Sequence, residues 1–228
     1  KGDNLLVLTN GGGVGVLATD AAEKSGVPLK FAPPDVQAEL KKHMPEFGSA
    51  KNPVDMTGMA GTDWYYKTVK FSFSHPWVDG LAVLYCETAI TVPQEIAESI
   101  KRAIDESGIK DKPITVSFVG GQRSDDATRW LVKNGIPAYF APDEAVDALG
   151  ALREYARLRE LVKDTTETCA EFDRETALKV IEKARLDGRD ALTEIEAKRV
   201  FEAYGIPVTP TLLAKSEQEA VEMARKIG

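Results

Sequence analysis

The sequence is poor in the residues that most often announce chemistry. Its 228 residues hold only two cysteines and two histidines. Cys86 and Cys169 lie far apart with no paired spacing, so neither a zinc cluster nor a disulfide framework is indicated, and a reducing, cytoplasmic setting is the expectation. His43 stands in a Lys-Lys-His run and reads as solvated. His75 precedes Pro76 and reads as a helix end, where an imidazolium suits the dipole. A surplus of positive charge is also missing. With 29 Lys and Arg against 36 Asp and Glu the net charge is −7, which argues against a nucleic-acid binder. No apolar run approaches the roughly 20 residues of a membrane span. The opening Lys1-Gly2-Asp3-Asn4 runs straight into a strand-like segment, with nothing of a signal peptide. There is no internal repeat and no low-complexity tract. The first residue is not Met, and Arg225-Lys226-Ile227-Gly228 ends inside what reads as an unfinished unit, so a piece of a longer polypeptide is expected.

What is present is ordinary globular material: 43% hydrophobic and 29% charged residues, enough for one full domain and part of a second. Leu5-Leu6-Val7-Leu8 reads as a buried strand running into a glycine-rich turn. Small and apolar positions at helical spacing predict a helix over 14–24, closed by Gly26. A short strand is expected at 27–29, and a helix capped by Asp35 through Lys41. Residues 47–61 read as a loop, followed by a helix capped by Thr62 or Asp63. Strands at 80–85, 113–119 and 135–140 then alternate with helices at 93–106, 125–134 and 143–161. Alternation of strands with helices of this length means parallel βαβ units. The predicted fold is α/β: a flavodoxin-like doubly wound parallel sheet with helices on both faces over residues 1–162. A polar linker with a helix follows over 163–190, and residues 191–228 carry a helix, a strand at 206–214 and a helix capped by Ser216 with Glu219.

The strongest chemical signal is Thr9-Asn10-Gly11-Gly12-Gly13-Val14-Gly15 between the first strand and the first helix. Glycines permit positive φ and close approach to the backbone, and the helix start offers unpaired N–H groups and the positive end of a dipole. Together they favour a phosphate or carboxylate, with Thr9 and Asn10 as extra side-chain donors. The competing reading is a tight turn that only packs strand on helix. No Lys-Ser/Thr follows, so this is not a lysine-bearing nucleotide loop. A dinucleotide fingerprint works only with Ala18 in the third glycine position and Asp35 as the ribose acid. Asn52 and Asp55 in the long loop, Glu87 after the third predicted strand, and Gly120-Gly121 after the next form a possible rim on the same sheet edge. Each has a plain structural alternative as a turn or cap residue. Cys86, Trp64, Tyr65 and Trp77 read as core or interface residues.

In these segments the chain resembles the ADP-forming acyl-CoA synthetases, relatives of succinyl-CoA synthetase. The resemblance is carried by residues 9–20, 52–55, 118–121 and 135–139, and continues through 192–208, which is similar to the opening of the family's ATP-grasp domain. It implies the reaction acyl-CoA + ADP + phosphate ⇌ acid + ATP + CoA, through an acyl phosphate and a phosphohistidine. It implies ATP or ADP, Mg2+ and CoA as the parent protein's ligands, and assigns none of them to this chain alone. It implies partners in the CoA-binding, phosphohistidine and ATP-grasp domains, and places Gly11, Gly12, Gly13, Val14 and Gly15 at one of two helix ends that hold the phosphohistidine. Neither His43 nor His75 has the context of the phosphorylated histidine. Two other readings compete: a non-catalytic flavodoxin-like module binding a nucleotide or acyl-CoA, and a stand-alone enzyme using Glu87 or Asp55.

Overall fold

The computed structural model describes residues 2–27, 29–164 and 172–227. It divides into two compact units, Lys1–Lys163 and Asp164–Gly228. The first unit runs β1 (Leu5–Thr9), α1 (Gly12–Lys24), α2 (Pro34–Lys41), β2 (Val54–Asp55), α3 (Thr62–Ser74), β3 (Gly80–Cys86), α4 (Pro93–Ser107), β4 (Ile114–Val119), α5 (Gln122–Lys133), β5 (Ala138–Tyr139) and α6 (Pro142–Asp164). The five strands form one parallel sheet in the order β2-β1-β3-β4-β5. This is the doubly wound order, and its direction reverses between β1 and β3.

Strand β1 shows why the sheet is covered twice. Its side chains alternate between faces. Leu6 and Leu8 join one core with Val36, Leu40, Val69 and Phe118, while Leu5 and Val7 join a second with Ala18, Ala22 and Val146. A strand buried on both sides loses the polar alternation of a surface strand, and each fully buried aliphatic side chain contributes about 1.5–3 kcal/mol. Helices α1 and α6 therefore lie on one face, and α2, α3, α4 and α5 on the other. Helix α1 ends as its sequence suggested: Gly26 sits at φ 64°, and the Val27 N–H reaches back to Ala22 O at 2.8 Å.

Several sequence expectations need correction. Val27 and Leu29 lie outside any strand, and Pro28 is outside the described residues. The second strand is instead Val54–Asp55, inside the segment read as a loop. It pairs with Leu8 and Thr9 of β1 and makes a single bridge to Ser49, too briefly to leave a hydropathy pattern. Asp35 does not cap α2: Pro33 holds that place and Asp35 lies in the first turn. Gly61, not Thr62 or Asp63, caps α3. The last strand shrinks to two residues.

The second unit has α7 (Arg174–Leu186), α8 (Glu194–Ala203) and α9 (Glu217–Ile227). Its described helices bury only Ala177 and Ala184. The predicted strand at 206–214 is absent, because a ladder needs a neighbour and the unit's described residues supply none. Ser216 accepts the Glu219 N–H at 3.2 Å, but the Glu219 carboxylate takes the Lys215 N–H and not that of Ser216. Cys169 and most of the polar linker read at 163–168 lie outside the described residues. Among the described residues no helix is long and apolar enough to cross a membrane.

Candidate functional site

The carboxyl edge of the sheet between β1 and β3 is the place where the strand order turns, and ligands of open parallel sheets gather there. The Thr9–Gly15 turn lies on it. Thr9 and Asn10 are almost wholly buried, and their side chains build the turn. The Thr9 hydroxyl accepts the Gly11 N–H at 3.0 Å and lies 3.1 Å from Gly11 O. Asn10 ties β1 to β3: its Nδ2 donates to Cys86 O at 2.9 Å and its Oδ1 accepts the Cys86 N–H at 2.7 Å. The bonds found for these two side chains are therefore to the protein's own backbone, at Gly11 and Cys86.

The backbone is left open instead. The Gly15 N–H makes the first helical bond, to Gly11 O at 3.0 Å. The N–H groups of Gly12, Gly13 and Val14 have no partner among the described residues, and no side chain caps the helix. Three free donors at the positive end of a 13-residue helix make a ready anion cradle. None of the glycines from Gly11 to Gly15 has positive φ, contrary to the expectation for a glycine turn. Two of them sit at close approach instead. A Cβ on Gly11 would stand 3.2 Å from Cys86 Cβ, and one on Gly15 would stand 3.3 Å from Thr9 Cγ2. A Cβ on Gly13 meets nothing within 4 Å and points into open space.

The expected rim residues divide. Asn52 is buried at 4% exposure and serves as a surrogate strand partner. It accepts the Val7 N–H at 3.0 Å and donates to Leu5 O at 2.6 Å and Lys30 O at 3.0 Å. It completes β1 where β2 is too short, so it belongs to the frame of the sheet and not to a ligand rim. Asp55 does reach the site. Its Oδ1 accepts the Thr57 N–H at 2.8 Å, and its Oδ2 lies 3.3 Å from where a Cβ on Gly12 would stand. Thr57 holds φ at 69°, a left-handed conformation costly for a β-branched residue. Its buried hydroxyl has no partner. Nothing local in the sequence marks Thr57.

Glu87 occupies the other glycine turn. Its Oε2 accepts Ser124 Oγ at 2.8 Å and the Gly121 N–H at 3.1 Å, while Oε1 takes Arg123 Nε at 3.0 Å and Nη2 at 2.5 Å. The Ser124 hydroxyl, then Arg123 and the Gly121 amide, hold its carboxyl below the usual range against the opposing effect of burial. Glu87 is thus the built-in anion of the α5 N-terminus. Gly120 is required there, since a Cβ would collide with Ser124 Oγ and come within 2.5 Å of Glu87 Oε2. Arg123 and Ser124 were missed in the sequence, where nothing local links them to a glutamate 36 and 37 residues earlier.

The remaining candidates lie elsewhere. His75 caps the C-terminus of α3 and its Nδ1 accepts the Trp77 N–H at 3.2 Å, in the turn leading to the amino end of β3. His43 packs against Phe71 in the segment leading to the amino end of β2. Asp35, in the first turn of α2, is not at a strand end as a ribose-binding acid requires. Cys86 is half-buried at the end of β3 and packs on the core. Tyr65 is fully buried, and Trp64 and Trp77 pack against the same core. A cavity of about 680 Å³ lies at the opposite, amino edge, lined by Leu5, Gly80, Pro113, Leu149, Leu152 and Arg153. Within its lining Arg153 pairs with Asp3 at 2.8 Å.

Comparison with known proteins agrees with this geometry. Residues 5–163 match the Ligase-CoA domain family and residues 183–228 match the ATP-grasp domain family. Acetate–CoA ligase (ADP-forming) I subunit alpha of Pyrococcus furiosus is 48% identical over 160 residues, covering 69% of this chain and 34% of that protein. Acetate–CoA ligase (ADP-forming) I of Archaeoglobus fulgidus is 33% identical over 230 residues, covering 100% of this chain and 32% of that protein. The solved structure of Ca. Korarchaeum cryptofilum dinucleotide forming acetyl-coenzyme A synthetase 1 in complex with phosphate and ADP superposes with a TM-score of 0.70 at 44% identity, covering 74% of this chain and 36% of that one. The chain therefore spans about a third of the length of these relatives. With a parallel 2-1-3-4-5 sheet, an open glycine turn at its switch point and a family match over residues 5–163, the chain belongs to the Ligase-CoA domain family of the ADP-forming acyl-CoA synthetases.

Proposed function

We propose that this chain supplies the phosphoryl-holding domain of an ADP-forming acyl-CoA synthetase, followed by the opening part of its ATP-grasp domain. The overall reaction is acid + ATP + CoA ⇌ acyl-CoA + ADP + phosphate, through an acyl phosphate and a phosphohistidine brought by another domain. The observation that carries the reading is the open first turn of α1, with unpaired N–H groups on Gly12, Gly13 and Val14 at the carboxyl edge of the sheet. A dianionic phosphoryl group transferred out of water needs fixed donors that do not have to reorganise. Thr9, Asn10, Gly11 and Gly15 keep that turn in shape, and the three amides bind.

On this reading the protein is cytoplasmic. ATP or ADP with Mg2+ belongs to the completed ATP-grasp fold, CoA belongs to a CoA-binding domain, and the histidine belongs to a third partner domain or subunit. The ligase domain covers residues 1–162, a linker with a helix covers 163–190, and the ATP-grasp segment begins at 191. The matches to a named alpha subunit and to an undivided chain support partners that are either separate subunits or fused domains.

The test is Gly13→Val in the complete synthetase, with histidine phosphorylation followed by rapid quench. A Cβ at Gly13 meets no heavy atom within 4 Å, so the fold is expected to persist while the cradle is obstructed. Phosphoryl transfer to and from histidine is expected to slow about a hundredfold, the scale of a lost oxyanion donor. An unchanged rate in a folded variant refutes the assignment.

A further inference from the structure

Helix α6 carries two apolar faces. Ala145, Val146 and Leu149 are buried against the sheet. Further along, Leu152, Tyr155, Leu158 and Leu161 remain between 47% and 60% exposed. Leu158 comes nine residues after Leu149, about two and a half turns, so it points away from the sheet. A surface helix whose core face is already covered normally turns polar residues outward. Here four large apolar side chains fall within ten residues, a patch and not a scatter of single residues.

The spacing on the outer face is that of a coiled-coil seam. Ala148, Ala151, Tyr155 and Leu158 follow one another at intervals of three, four and three residues. That places Ala148 and Tyr155 at heptad position a, and Ala151 and Leu158 at position d. The same register puts Glu154 at position g and Arg159 at position e, with Leu152 and Leu161 also flanking the seam. In a parallel pair of helices a g residue faces the e residue five positions on in the other helix. Glu154 then meets Arg159 of the partner subunit, and the symmetry repeats the ion pair on the other edge. Within one chain these charges make only exposed contacts, which are readily exchanged: Glu154 with Arg157 at 2.7 Å, and Arg159 over the Tyr155 ring at 5.8 Å. An antiparallel pair sets Glu154 and Arg159 against leucines and forms neither ion pair. Seam and sheet lie on opposite sides of α6, so two copies meet there with their sheets outermost. The seam is only about two heptads long, which makes the association weak and reversible.

We propose that the outer face of α6 is a self-association surface, on which a second copy of this chain packs in parallel through Tyr155 and Leu158, with Glu154–Arg159 ion pairs along both edges. The proposal goes beyond the phosphoryl-holding role and does not depend on it.

The experiment is sedimentation velocity over a concentration series, on the 228-residue chain and on the complete synthetase. A reversible dimer of the chain is expected. Leu158→Glu, at an exposed position, is expected to weaken it about a hundredfold with an unchanged circular dichroism spectrum. Glu154→Arg and Arg159→Glu each set like charges against one another and are expected to weaken it about tenfold. The two together exchange the charges and are expected to restore the natural affinity. A monomer at every concentration overturns the proposal, as does a dimer indifferent to Leu158→Glu. A double exchange no tighter than the single variants overturns the parallel pairing. If Leu158→Glu leaves the mass of the complete synthetase unchanged at every concentration, another segment covers α6 and the proposal fails.

Discussion

Helices α1 and α5 start at the same edge of one sheet, each at a run of glycines, yet their first turns are built in opposite ways. At α5 the positive end is filled from within: Glu87, from the end of β3, accepts the Gly121 N–H and the Ser124 hydroxyl and pairs with Arg123. At α1 the nearest acid stops short. Asp55 turns one oxygen to Thr57 and leaves the amides of Gly12, Gly13 and Val14 unpaired. In the second unit α8 repeats the closed solution locally, with Thr193 and Glu196 capping each other. Unsatisfied amides at a helix start are a cost that most helices remove with a cap. The lesson is that a glycine-rich turn does not by itself mark an anion site: what matters is whether the protein has already supplied the anion.

The comparison can be broken in several places. Obstructing the open end with Gly13→Val carries the largest expected effect, the hundredfold loss of phosphoryl transfer proposed above. Next is Glu87→Ala, which removes the internal anion. Chemical denaturation is expected to show a loss of about 2 kcal/mol, typical for hydrogen bonds to a charged group. Because Gly121, Ser124 and Arg123 are then unpaired, the Gly121 amide is expected to shift on sulfate titration in the variant and not in the natural sequence. No shift in the variant would mean that an open helix end is not enough to bind an anion in this domain.

A smaller effect separates two adjacent glycines. Gly120→Ala forces a Cβ against Ser124 and Glu87 and is expected to cost about 1–2 kcal/mol. Gly121→Ala, whose Cβ meets nothing within 4 Å, is expected to be near neutral. Equal losses at both positions would refute the packing explanation. The smallest effect is at α8. Arg189 and Thr193 hold the Glu196 carboxyl at about 2, below the ordinary carboxylate value near 4.3. A depressed folded-state value means that the stabilisation is complete above the ordinary range and is lost as pH falls through about 2. An NMR titration should place the Glu196 midpoint there, and Arg189→Gln should move it upward. A midpoint insensitive to Arg189 would show that the ion pair is not formed in solution.

Much of the fold was legible before any coordinate. The run Leu5–Leu8, the helical spacing after Val14 and the alternation through residue 161 predicted a doubly wound sheet, because hydropathy period and helix stops are local properties. The two-residue β2 escaped notice because its pairing is with Leu8 and Thr9, and because Asn52 supplies the rest of that edge from a side chain. The expected strand at 206–214 failed for the converse reason: a strand-like pattern forms no ladder without a neighbour. At the site, the sequence singled out the glycine turn and the five rim positions, but assigned Thr9 and Asn10 to the ligand and left Glu87 undecided.

What the sequence determined by itself is the succession of strands and helices and the flexible glycine turns between them, since these depend on residues a few positions apart. Which helix end stays open was decided only in three dimensions. Glu87 meets Ser124 across 37 residues, Asn10 meets Cys86 across 76, and Asp55 comes beside Gly12 only because β2 lies next to β1. Whether an amide is free or satisfied is settled by the group folded against it, and no local pattern records that group.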